Sequence, residues 1–202
     1  MSLRSSSVAA AALTAAALSS GASAAILVFT DQFLYGVNTS SYTTSTENFS
    51  TYGGSYAAGL NGSAGAVSWS AGAAGGVNVV AGVLASGTAS TLTLSFGGGP
   101  DVYGISGNFF GSDASSVIVP SFVTVRLNDG TTYLNYLTAP AFVGFVSTGA
   151  AISSIEVEAR DGVGASATWF YANLDNASFA YVPAPGAIAL LGLAGLAGRR
   201  RR

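Results

Sequence analysis

The chain has 202 residues, half of them apolar, with 27 Gly and a net charge of −2 from seven Arg against nine Asp or Glu; it contains no Lys, no His and no Cys. Without cysteine there are no disulfides, thiol nucleophiles or thiolate metal sites, and without histidine or lysine the usual general base, the commonest transition-metal ligand and Schiff-base chemistry are excluded. Five arginines lie at the ends (Arg4, Arg199, Arg200, Arg201, Arg202), so residues 25–182 hold two arginines against nine carboxylates, a net −7 that argues against binding a nucleic-acid backbone by charge.

Residues 1–24 have the three parts of a secretory signal. Arg4 marks a short basic start, an Ala- and Leu-rich stretch runs from Val8 to Leu18, and Ala22-Ser23-Ala24 supplies the small residues that signal peptidase accepts. The apolar stretch is about 16 Å long as a helix, too short for a bilayer core of about 30 Å. Cleavage is expected after Ala24.

The segment 25–181 is the size of one domain and alternates with period two in several places. Leu92, Leu94 and Phe96 share a face opposite hydroxyls; Val123, Val125 and Leu127 lie opposite Thr124 and Arg126; Ile155, Val157 and Ala159 lie opposite Glu156, Glu158 and Arg160. These are half-buried strands with a wet outer face. Asp129-Gly130 predicts a hairpin joining Ser121–Leu127 to Thr131–Leu137. Further strands are expected at Ile26–Thr30, Ala66–Ser70, Val77–Leu84, Asp101–Ser106, Phe142–Ser147, Ala167–Tyr171 and Ala177–Tyr181. No stretch of the body shows a sustained helical stripe with a cap in front and Gly behind. About ten short strands with Gly, Ser and Asn between them predict an all-β protein, an antiparallel β-sandwich of jelly-roll type.

From Asn48 to Pro100 there is no charged residue. Its Gly-rich part, Gly53 to Gly87, fits long loops, short edge strands or a loosely ordered lobe, and the uncharged Val77–Leu84 run is an aggregation liability. A fibre-forming matrix protein and an ordinary low-charge exported protein both fit this composition.

Three kinds of site are compatible with the residues. Glu156 and Glu158, two apart on one strand, put carboxylates on the same face about 6 to 7 Å apart, which fits either a glycoside hydrolase pair or a solvated surface. Calcium needs only oxygen ligands, and Asp101, Asp113 and Asp175 are its candidates, with Asp129, Asp161 and Asn176 also in or beside loops; none has the spacing of a continuous calcium loop. Turn chemistry explains the same residues. Trp69, Trp169, Phe170 and Tyr171, with Tyr133 and Tyr136, could present a stacking platform for sugars, although alternation must send part of the set into the core. No residue is assigned to catalysis and no cofactor other than calcium is called for.

The last 21 residues, 182–202, read VPAPGAIALLGLAGLAGRRRR. Pro183 and Pro185 stop the preceding strand, Gly186 to Gly198 is apolar and about 20 Å long as a helix, and Arg199 to Arg202 would stay cytoplasmic by the positive-inside bias. An export signal at one end and a short apolar segment with a basic end at the other is the layout of a temporary anchor.

This tail resembles a PEP-CTERM sorting signal. Val182, Pro183, Ala184 and Pro185 hold the signature, Gly186 to Gly198 the membrane stretch, and Arg199, Arg200, Arg201 and Arg202 the cluster; Ala184 stands where the family has Glu. The resemblance implies transient inner-membrane insertion and handling by an exosortase-type membrane protease in a Gram-negative bacterium. It also implies removal of the tail and delivery to the cell surface or matrix, with exopolysaccharide as the associated polymer. Asn108-Phe109-Phe110, Phe142 to Phe145 and Leu174 to Phe179 are similar to features of exported domains with this tail and assign no activity. The expectation is an exported, non-enzymatic β-sandwich partnered by signal peptidase and the sortase. Calcium-assisted carbohydrate recognition is the first alternative and a carboxylate glycosidase the second.

Overall fold

The computed structural model describes residues 25–164 and 166–183. The signal segment 1–24 with Ala22 and Ala24, and the sorting residues Ala184, Pro185, Arg199, Arg200, Arg201 and Arg202, lie outside the described residues. In chain order the first elements are β1 (Ile26–Phe29), helix α1 (Gln32–Asn38), β2 (Thr43–Glu47), β3 (Gly54–Tyr56), β4 (Leu60–Ala64), β5 (Val67–Ala73), β6 (Val77–Val80), β7 (Val83–Ser86) and β8 (Leu92–Phe96). They are followed by β9 (Val102–Ser112), β10 (Ile118–Val119), β11 (Ser121–Leu127), β12 (Thr132–Leu137), β13 (Ala141–Ser147), β14 (Ser154–Arg160) and β15 (Tyr171–Tyr181).

These strands build two antiparallel sheets packed as a β-sandwich. The larger runs β1-β13-β9-β15-β7-β6-β3, with β2 and β10 added beside β15 and β9, and the smaller runs β12-β11-β14-β8-β5-β4. Within them, β7-β15-β9-β13 faces β8-β14-β11-β12, and the chain crosses between sheets at nearly every step from β7 to β15, which is the two-Greek-key course of a jelly roll. Phe109, Phe145, Phe179, Ile105 and Leu174 from the larger sheet meet Leu92, Leu94, Val123, Val125, Ile155 and Val157 from the smaller one, and all belong to one buried cluster. The predicted alternation is realised: β11 and β14 bury every second residue. Their outward Arg126 and Glu156 stand opposite each other in register.

The Asp129-Gly130 hairpin forms as expected. Gly130 adopts φ +91°, and the Asp129 carboxylate accepts from the Thr131 N–H at 2.9 Å, so each residue does what only its type does well in that turn.

The elements differ from expectation in several places: β2 was not expected, and β15 begins at Tyr171 and not at Ala177. Val77–Leu84 is a hairpin, β6 and β7, turning at Ala81 and Gly82 with φ +52° and +81°; two positive φ values are the mark of a type I′ turn. Asp101–Ser106 continues to Ser112, because Gly107 and Gly111, which read as punctuation, are places where Leu174 and Ser121 pack too close for a Cβ. Ala167–Tyr171 is no strand: Trp169 makes one isolated bridge to Arg160, and β15 starts only at Tyr171. Finally, a helix is present. Asp31 caps α1 by accepting from Leu34 N–H at 3.0 Å, and seven residues are too few to show a stripe. The Gly-rich region is short strands, β3 to β7, with β3 and β4 at sheet edges.

In β15, Ala172 and Leu174 face the core, and so do Ala177, Phe179 and Tyr181. Even and odd positions exchange roles across a bulge at Asp175–Ser178, where Asn176 takes φ +54°. The strand ends at Tyr181; Val182 donates to the Asp101 carbonyl at 3.3 Å and Pro183 has no N–H with which to continue. Among the described residues no helix is long and apolar enough to cross a membrane.

Candidate functional site

The outer face of the larger sheet carries a groove of about 580 Å³ between α1, β2 and the strands β13, β9 and β15. Its floor follows from register. Thr46 pairs with Ser178, Ser178 with Ser106, and Ser106 with Gly144, so a row of hydroxyls crosses three strands and ends at a glycine. One step along, Phe142 pairs with Asn108 and Asn108 with Asp175. Gln32, Thr39 and Ser40 from the helix side, Tyr42 and Thr44 from β2 and its approach, and Asn176 at the bulge complete the walls.

Tyr35 fixes the helical wall. Its ring enters a notch on the sheet where a Cβ at Gly144 would collide with ring carbons, and a Cβ at Gly104 would lie 3.0 Å from its hydroxyl. Phe29 and Phe142 meet the ring edge-on, with centroids at 6.2 and 5.7 Å. Thr39, at the end of the helix, returns its hydroxyl to the Tyr35 carbonyl at 3.0 Å. Beside this wall Tyr42 stacks on Tyr103 at 5.8 Å.

The Tyr35 hydroxyl is buried without a hydrogen-bond partner, and Ser106 faces it outside bonding geometry. Burial pushes its pKa up to about 12, with Ser106 opposing weakly. A folded-state pKa above the ordinary value of 10.0 means that the folded protein holds this proton longer than the unfolded chain does. The associated stability is complete below pH 10 and is lost as pH rises toward 12, by about 3 kcal/mol in all. Tyr35→Phe is therefore expected to be as stable as the parent or up to about 1 kcal/mol more so at pH 7. It should also lack this part of the alkaline decline. Denaturant titrations of both proteins at pH 7, 10 and 11.5 check this, and parallel alkaline curves would refute it.

No charged side chain lines the groove, and Asp175, next to the lining residue Asn176, accepts from the Asn176 side-chain amide at 2.8 Å. The walls are amides (Gln32, Asn108, Asn176), hydroxyls and the aromatic residues Tyr35, Tyr42 and Phe142. Such a surface can exchange many hydrogen bonds with a neutral polyhydroxylated ligand and cover its C–H faces, and its volume is that of a small-ligand site.

Of the calcium, carboxylate and stacking candidates named from sequence only Asn176 lines the groove, with Asp175 next to it in the chain; Asn108, Phe142 and Ser178, from the three segments that resemble exported domains, line it too. Asp101 and Asp113 stand just beyond opposite ends of β9, on the order of 35 to 40 Å apart, so they cannot share an ion. Asp113 accepts from the N–H groups of Ser115 and Val117 at 2.8 and 2.9 Å, and Asp161 from Thr168 N–H at 2.7 Å; both shape turns. Among the described residues no three carboxylates converge as a metal site.

Glu156 and Glu158 face outward on the smaller sheet, each beside an arginine: Arg126 at 3.5 Å and Arg160 at 2.8 Å. The six aromatic residues do not form one platform. Trp69 is core, 3% exposed, with Phe49 and Tyr52 edge-on to it at 5.5 and 5.6 Å. Phe170 and Tyr133 pack against the core, and Tyr171 belongs to the larger sheet. Tyr136 and Trp169 do share a row on the smaller sheet, Tyr136–Phe122–Arg160–Trp169, in which the guanidinium covers Trp169 at 3.7 Å.

The groove residues were missed for a physical reason. Tyr42 to Thr46 is all hydroxyl-bearing and shows no apolar alternation, and no Asp, Glu or Arg lines the groove. The one available signal was Asp31 three residues before Leu34, a capping position without a helical stripe behind it. Comparison of the chain with protein-family models, with curated proteins and with solved structures gives no match.

Proposed function

We propose that this chain is an exported, non-enzymatic protein of the cell surface or extracellular matrix, and that the groove on the larger sheet holds a neutral saccharide segment of the surrounding polymer. The export half rests on the sequence alone: the signal-like residues 1–24 and the Pro-x-Pro, apolar and arginine order of the tail. The binding half is carried by one observation. In a body of net charge −7, the groove on this sheet is lined by amides, hydroxyls, aromatic rings and two glycines, with no charged side chain. An anionic polymer would be repelled by that body, whereas a neutral sugar ring offers matching hydroxyls and an apolar face. This reading needs no metal, because the groove donors are complete without one.

A glycan array probed with and without chelator tests it. The expected result is binding to neutral glycans that changes little with chelator or with salt, and a loss of tenfold or more in Ser178→Leu, whose side chain would fill the groove from an outward strand position. Loss of binding on chelation would favour the calcium-assisted alternative instead, and a flat array would remove the groove reading. For the route, intact-mass measurement of mature protein from its native host should show a chain ending near Pro185; retention of Gly186 to Arg202 would overturn it.

A further inference from the structure

We propose that the exposed apolar corner formed by α1 and β1 rests in the headgroup region of a lipid bilayer while the apolar segment Gly186 to Gly198 is inserted there. This rests on the reading above that the tail is a temporary membrane anchor. Phe33 is 76% exposed, Val37 54% and Leu34 52%, and on the neighbouring edge strand Leu27 and Val28 are 43% and 42% exposed. No residue of α1 or β1 is charged. Leu27 faces the helix side of the sheet, opposite Val146, while Val28 alternates to the other face, so Phe33, Leu34, Val37 and Leu27 put four large apolar side chains on one corner of an otherwise hydroxyl-rich surface, and they need a partner.

Position identifies that partner. Leu27 pairs with Val146, Val146 with Gly104, and Gly104 with Ala180, so the corner lies in the same cross-strand row as the end of β15, three strand spacings or about 14 Å away. The end of α1 is in that row too, since a Cβ at Gly104 would lie 3.3 Å from the Thr39 methyl. Gly186 follows Tyr181 by five residues, a reach of at most about 17 Å. A bilayer that receives Gly186 to Gly198 is thus held within reach of the corner. There the short uncharged helix can lie in the interface as amphipathic surface helices do, with Phe33, Leu34 and Val37 toward the acyl boundary. Removal of the tail would then release the domain by taking away the stronger of two contacts.

The absence of cysteine from the chain makes the test direct. Full-length chains carrying a single Leu34→Cys, Ala194→Cys or Val163→Cys are labelled with an environment-sensitive dye and reconstituted into phosphatidylethanolamine–phosphatidylglycerol vesicles containing a headgroup quencher. Expected are a blue shift and quenching at positions 34 and 194 and neither at 163, which sits in the loop after β14. In a Leu34→Cys chain that also carries Phe33→Glu and Val37→Glu, the shift at position 34 should vanish, while the same two substitutions leave the signal at 194 intact. A label at 194 that stays in water would defeat the anchor reading, and this proposal with it. Insertion at 194 with an aqueous signal at 34 would overturn this proposal alone, as would a shift at 34 that appears without vesicles, which would assign the corner to a second copy of the chain.

Discussion

A chain carrying Asn176→Val, whose branched side chain resists the positive φ of the bulge, is expected to lose about 1 to 3 kcal/mol of stability. The bulge at Asn176 is what lets Leu174 and Phe179, an odd number of residues apart, both face the core. In a chain of the same length without it, continuous pleating would turn Phe179 and Tyr181 to the outer face and bring Ser178 and Ala180 inward, whereas deleting Asn176 removes the one extra residue and leaves Ala177, Phe179 and Tyr181 facing the core. Phe179 is fully buried and meets Phe96 edge-on at 5.4 Å. Losing such a residue from a core costs about 3 to 5 kcal/mol, and two in one strand approach the entire stability of an ordinary domain. Asn176→Gly, which accepts the same positive φ, should stay within about 1 kcal/mol of the parent. Calorimetry on the parent, Asn176→Val, Asn176→Gly and the Asn176 deletion decides the matter: the deletion should keep a sharp transition, and an Asn176→Val chain that melts at the parental temperature would show that the positive φ is not needed.

The second large effect is expected at Gly144. Its Cβ position is already occupied by the Tyr35 ring, so Gly144→Val must displace α1 from the sheet. Overpacking of this kind costs about 1 to 3 kcal/mol. The sharper consequence is functional, because α1 is one wall of the groove. Saccharide binding should fall below detection while the core remains folded, and hydrogen exchange should accelerate in residues 32–38 and hardly at all in β11 or β14. Adding Tyr35→Ala to Gly144→Val should cost much less than the two changes do separately, since the ring that clashes is gone. Simple additivity would mean that the glycine is not there to receive the ring.

The same two features show how far the sequence could be read. β11 and β14 were legible residue by residue because one face of each is buried and the other wet, and period two records that directly. The jelly-roll class followed from the number of such strands. Illegible were the places where backbone geometry departs from type: Ala81 at a positive φ before Gly82, where Asn or Asp would have announced the turn, and Asn176 within a strand. Gly107 and Gly111 read as interruptions because a lone sequence cannot tell a glycine that bends a chain from one that makes room for a neighbour. The groove was hidden for a different reason. Sites are sought through groups that titrate, ligate or stack, so attention went to Glu156, Asp101 and Trp69. A neutral surface of hydroxyls and amides becomes a site only when register lines it up.

The pairing of Arg126 and Arg160 with their glutamates also bears on how long such a domain lasts outside a cell. Between residues 25 and 183 these are the only basic side chains, and neither is in a loop. Arg126 lies in a strand paired on both sides, and Arg160 ends β14 under Trp169 and beside Glu158. A protease that cleaves after basic residues must draw its substrate out as a free extended segment. The Arg126–Leu127 bond is stitched into a strand paired on both sides, so cutting there must wait for the sheet to open, whereas the Arg160–Asp161 bond stands where β14 passes into an exposed loop; the first tryptic cut is expected there, by local opening and not by global unfolding.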